Sequence, residues 1–126
     1  MNDILNRADI DQLILDFYKK IMVDPQIGYF FTEVVSLDLD HHLPKIADFW
    51  ETTLFHQAKY KGNPITPHVA MHEKSPMTQA HFDRWVEVFC QTIDKRYEGE
   101  KAEMAKQRAR SIATVMLIKI KNSESS

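Results

Sequence analysis

Residues 10–22, IDQLILDFYKKIM, carry Ile10, Leu13, Ile14, Phe17, Tyr18, Ile21 and Met22 at spacings of three and four. That spacing puts all seven on one face of an amphipathic helix. Asp9 and Gln12 have the separation of a capping box at its start. Asp24-Pro25 ends it, because a residue before proline is driven out of the α region. The apolar face is not purely hydrocarbon, since Tyr18 sets a phenol in its middle. Just beyond lies a second aromatic cluster, Tyr29-Phe30-Phe31, within a short connection over 26–31.

The same periodicity recurs along the chain. A helix is expected from about Asp40 to Phe55, burying Leu43, Ile46, Phe49, Trp50 and Leu54, with Pro44 in its first turn, where a missing N–H is tolerated. The stretch Lys59 to Pro67 holds Gly62, Pro64 and Pro67 and reads as a loop. Thr66-Pro67-His68 reads as an N-cap, a first helical residue and the start of a short helix. A long helix begins near Ser75-Pro76 or Thr78, with Phe82, Trp85, Val86, Phe89, Ile93 and Tyr97 as its stripe. Gly99 breaks the chain. The last helix covers about Glu100 to Lys121, with Ala102, Ala105, Ala109, Ile112, Ala113, Met116 and Ile120 facing inward. No strand pattern, repeat or internal boundary is visible. The expected class is all-α, one domain over 1–126 with a frayed tail at about 122–126.

Composition narrows the function. The 126 residues suit one core and carry a net charge of -2, which argues against nucleic acid as the main partner. Three glycines and five prolines leave few tight turns. One cysteine, Cys90, makes no internal disulfide. No apolar run is long enough to span a bilayer, and the first ten residues lack a basic segment followed by an apolar one. The expectation is a cytoplasmic protein with no membrane partner.

Six histidines are present: His41, His42, His56, His68, His72 and His81. His68 and His72, four apart, share a face if helical, but a zinc site needs a third or fourth ligand. No Gly-rich phosphate loop, nucleophile elbow or cysteine pair occurs. A haem pocket makes better sense of the same residues. It needs one imidazole ligand on one side of the iron and hydrogen-bond donors for a polarised ligand on the other. His68, held after a proline-rich loop, suits the first. Tyr18 and Trp85 offer an O–H and an N–H from apolar stripes. Phe30, Phe31, Ile46, Phe49, Trp50 and Phe89 supply apolar walls. A Tyr or Trp on such a stripe is more often core with a satisfied polar tip, so periodicity alone does not establish the pocket. His42 reads either as a pocket residue or as an exposed first-turn residue, while His72 and His81 read as solvent-facing.

The blocks FY…DPQIGYFF (17–31), HHLPKIADFW (41–50), GNPITPH (62–68), HFDRWVEVF (81–89) and AKQRARSIA (105–113), in this order and spacing, resemble the truncated haemoglobins, most closely their third group. The resemblance covers about Ile10 to Met116. It implies a shortened globin fold, a two-over-two helical sandwich around haem b. It implies His68 as the proximal ligand of the haem iron, Tyr18, His42 and Trp85 as the distal ligand pocket, Phe31 and Ile46 against the haem, and Lys45 towards a haem propionate. The His41-His42 doublet leaves two registers for the distal histidine. The function implied is binding of O2, NO and CO, with three polar distal groups favouring O2/NO or peroxide chemistry over bulk O2 transport, as in an NO dioxygenase or a peroxidase-like globin. The expected partners are the gases and an unidentified reductase, with the protein itself a monomer. The alternative is a haem-free helical sensor or interaction domain with a globin-like fold.

Overall fold

Asn6, rather than Asp9, caps the first helix. Its side-chain oxygen accepts from the Asp9 N–H at 3.0 Å, and the Asp9 carboxylate accepts from the Leu5 N–H at 2.8 Å. Asn6 takes the N-cap because its extended backbone lets a short side chain reach back to the third helical N–H. Gln12, expected to close a capping box, instead donates to Asp16 one turn on. The computed structural model describes residues 1–29, 39–55 and 78–125, with side chains up to 119 in the last segment and from 40 in the second. Its helices are α1 (Arg7–Ile21), α2 (Leu39–Phe55), α3 (Gln79–Arg96) and α4 (Glu100–Ser125).

The pair α1 and α2 packs over the pair α3 and α4, giving the expected two-over-two sandwich. The apolar face read from residues 10–22 is the one buried: Ile10, Leu13, Ile14, Phe17, Tyr18 and Ile21 are all in the core, and Met22 is half-buried. Each fully buried aliphatic or aromatic side chain contributes about 1.5–3 kcal/mol. Arg7 also links α1 to α2, reaching Asp48 at 2.7 Å and the Pro44 carbonyl at 3.4 Å. That ion pair is about one-third exposed on both sides and is worth at most about 1 kcal/mol. Apolar burial therefore drives the α1–α2 contact, and Arg7 sets its register.

In α2, Ala47, Trp50 and Leu54 are buried, while Leu43, Ile46 and Phe49 are only partly so. Pro44 lies in the second turn of α2, not the first. In α3 the expected stripe is joined by Val88 and Thr92, which are buried because α3 is covered from two sides. Thr92 satisfies its hydroxyl by donating to the Val88 carbonyl at 2.7 Å. In α4 the small residues Ala102, Ala105, Ala109 and Ala113 are buried and allow close approach to α3. The helix continues to Ser125, past the expected end at Lys121.

The start of the chain is tied to the α3–α4 junction. Asn2 bridges to Tyr97, and the Glu98 N–H donates to the Asn2 carbonyl at 3.0 Å. Asp3 then caps α4 from almost a hundred residues away, accepting from the N–H groups of Lys101 and Ala102, each at 2.8 Å. Gly99 makes this possible. Its φ is +146°, and a Cβ there would stand 2.6 Å from Asp3 Cγ. No helix among the described residues is long and apolar enough to cross a membrane.

Candidate functional site

Tyr18 belongs to the second half of α1 and points at α2, because the Ile14–Ile21 stripe that carries it is the packing face. Its hydroxyl lies 2.7 Å from His42 Nε2. The two rings meet edge to face, with centroids 5.2 Å apart. Burial pushes the Tyr18 hydroxyl far above the ordinary phenol range, so it stays neutral and keeps its proton. His42 is half-buried and His41 is exposed. Of the two histidines of the doublet, it is His42 that meets Tyr18.

Phe17, next to Tyr18, sits edge-on to Trp85 at 5.9 Å and to Phe89 at 5.2 Å. Trp85 and Phe89 are one turn apart on α3 and run parallel, 5.9 Å between centroids. Trp50 of α2 stacks on Phe89 at 5.0 Å. These contacts border a partly open cavity of about 50 Å³, lined by Ile14, Phe17 and Tyr18 of α1, Ile46, Phe49 and Trp50 of α2, Trp85 and Phe89 of α3, and Ile112 and Met116 of α4. That is room for one or two water-sized molecules, or for a diatomic gas. A wider groove of about 420 Å³ between α3 and α4, lined by Phe82, Val86, Arg110 and Leu117 among others, holds no phenol, indole or imidazole.

Six of the expected residues, Tyr18, Ile46, Phe49, Trp50, Trp85 and Phe89, thus come together around one cavity. Ile14, Phe17, Ile112 and Met116 were readable only as stripe residues, and nothing local marks them as cavity walls. Lys45 is exposed on α2. His81, expected to face solvent, is half-buried and closes the start of α3, its Nδ1 accepting from the Thr78 N–H at 3.0 Å. His68, His72, Phe30 and Phe31 lie outside the described residues.

The sequence profile of the bacterial-like globins matches residues 2–118. The chain belongs to the bacterial-like globin family. This globin is 27% identical over 115 residues to a group 3 truncated haemoglobin of Campylobacter jejuni, covering 89% of this chain and 88% of that one. Its fold is similar to the crystal structure of a group III truncated haemoglobin from Campylobacter jejuni, with a TM-score of 0.81, 27% identity and 95% of each chain covered. Globin membership implies haem as the resident group. The cavity is too small for the macrocycle itself, but its residues fit the ligand side of that group: it is apolar and aromatic, with a buried neutral phenol and an indole among the lining side chains, which suits a polarised diatomic ligand.

Proposed function

We propose that this globin binds haem b through His68 and holds O2, NO or CO in the cavity beside Tyr18 and Trp85, serving O2/NO or peroxide chemistry rather than bulk O2 transport. Haem supplies an iron centre that coordinates the gas and exchanges electrons with it. The observation that carries the reading is the buried Tyr18 phenol, 2.7 Å from His42 Nε2, at the wall of a cavity of diatomic size. Tyr18 has one proton, and His42 has one donor and one acceptor nitrogen when neutral. With His42 Nε2–H donating to the Tyr18 oxygen, the Tyr18 proton is turned to the cavity. Trp85 adds an N–H donor from α3. Two donors slow the escape of a polarised ligand, and slow release suits turnover better than delivery. Phe49, Trp50, Phe89, Phe30 and Phe31 keep the site apolar, Ile46 closes the wall between α2 and the cavity, and Lys45 is the propionate partner.

An absorption spectrum of the purified protein tests this directly. An intense haem band is expected, and His68→Leu should abolish it or remove the signature of an iron–imidazole bond. A colourless wild-type protein that takes up no added haem refutes the proposal. Loss of the band in His72→Leu, with a normal His68→Leu spectrum, would move the ligand to His72.

A further inference from the structure

Asp24 is a carboxylate in the core, its side chain 3% exposed. Its two oxygens are divided between two tasks. Oδ1 accepts from the backbone N–H groups of Gln26 at 2.9 Å and Ile27 at 3.2 Å, which fixes the corner that follows α1. Oδ2 accepts from Nε of Arg84 on α3 at 2.8 Å and is paired with Nη2 of the same guanidinium at 2.8 Å. Burying the Asp24 carboxylate costs desolvation that its partners must return, while the Arg84 side chain stays 31% exposed. The pair therefore adds direction as well as stability to the contact between the corner and α3.

Its position gives that direction a role. Asp24 comes three residues after the end of α1, the helix that carries Tyr18. Arg84 immediately precedes Trp85. A second link lies one helical turn away on the same face of α3, where Gln26 Nε2 donates to the Ala80 carbonyl at 3.3 Å. Two contacts four residues apart fix both the rotation of that turn of α3 and its height along the axis. Gly28 keeps the corner tight, since a Cβ there would stand 2.7 Å from the Met22 carbonyl oxygen. Trp85, about 100° round the helix from Arg84, stands in the cavity wall against Phe17.

We infer that Asp24 and Arg84 form a latch that sets the separation between Tyr18 and Trp85, the two donors carried by different helices. They are positioning residues for the ligand site. Arg84 also pairs with Glu87, one turn on at the surface of α3. The latch rests on the proposed function for its purpose, but its geometry is open to an independent measurement.

The test uses full-length protein carrying Asp24→Asn, with Arg84→Gln as a second variant. The amide introduced by Asp24→Asn keeps an oxygen for the Gln26 and Ile27 N–H groups and puts an NH2 donor against Arg84, so that both the charge and the acceptor facing the guanidinium are lost. One measurement is the indole N–H resonance of Trp85, with Trp50 as the internal reference. Both variants should shift or broaden the Trp85 signal and leave that of Trp50 in place, with helicity unchanged. The other is the dissociation rate of a diatomic ligand in a cycle with Trp85→Phe. Asp24→Asn should speed dissociation at least about three-fold when Trp85 is present and have little effect in the Trp85→Phe background. An unmoved Trp85 resonance in folded variants overturns the latch, as does equal acceleration in both backgrounds. If Trp85→Phe alone leaves dissociation unchanged, the donor role of Trp85 fails, and the resonance decides the latch by itself.

Discussion

The Tyr18 hydroxyl and His42 Nε2 lie 2.7 Å apart across the α1–α2 contact, and Tyr18 lines the aromatic cavity. Neither residue makes the pair alone. The phenol is held neutral by burial, and the imidazole decides which way its proton points.

Removing the phenol should therefore be felt by the ligand. Hydrogen bonds to a polarised group are worth about 1.5–3 kcal/mol, so Tyr18→Phe and Trp85→Phe should each speed O2 dissociation roughly ten-fold or more. Stopped-flow displacement by carbon monoxide measures this. Unchanged rates in both variants would return the two side chains to an ordinary core role.

His42→Ala should open the approach to the cavity and raise ligand association more than dissociation. It also removes the group that orients the Tyr18 proton, so the combination with Tyr18→Phe should be non-additive in dissociation. Flash photolysis of the carbon monoxide complex gives association directly. Additive effects would mean that the two side chains act separately on the ligand, and an identical response in His41→Ala would shift the register by one.

Gly99→Ala should destabilise the fold by about 2 kcal/mol or more, because the position combines a positive φ with a carboxylate in the space of the new methyl. Asp3→Ala removes the cap on α4 and should cost about 1 kcal/mol. Urea melts of the two variants check both values, and a Gly99→Ala midpoint equal to that of the parent would contradict this reading of the junction.

Stability should fall in acid. For Asp24, burial alone would raise the pKa, but the Gln26 N–H, the Arg84 guanidinium and the Ile27 N–H outweigh it and hold the carboxyl below the usual range. For Asp3, burial is likewise outweighed, by the N–H groups of Lys101, Ala102 and Ile4. A folded-state pKa below the unfolded value gives stability that is present above the unfolded pKa and is lost as the pH falls through the folded one. The loss should thus begin near about pH 4 and deepen below it. Melts between about pH 3 and pH 6 should show a shallower slope in Asp24→Asn and Asp3→Asn than in the parent.

Much of the architecture was legible because helix faces are local. The spacing of Ile10 to Met22 named the face of α1 that is buried, and for α3 it named Phe82, Phe89, Ile93 and Tyr97, while Trp85 and Val86 of the same stripe are only partly buried. Boundaries were less legible where two residues competed for one task. Asn6 and Asp9 both suit a helix start, and only the backbone at residue 6 decides between them. His81 looked like a surface histidine because a side-chain nitrogen capping its own helix leaves no periodic trace.

The sequence by itself determined the helical periodicity, the chemical types set on each apolar stripe, and the order of blocks that resembles a truncated haemoglobin. Those depend on neighbours within one or two turns. Tertiary structure alone decided that His42 rather than His41 meets Tyr18, that Ile112 and Met116 join the cavity wall, that Asp3 caps α4, and that Asp24 holds Arg84. Each of these joins residues from distant parts of the chain. Which partners meet is fixed by how the apolar faces pack against one another, and no local spacing encodes that.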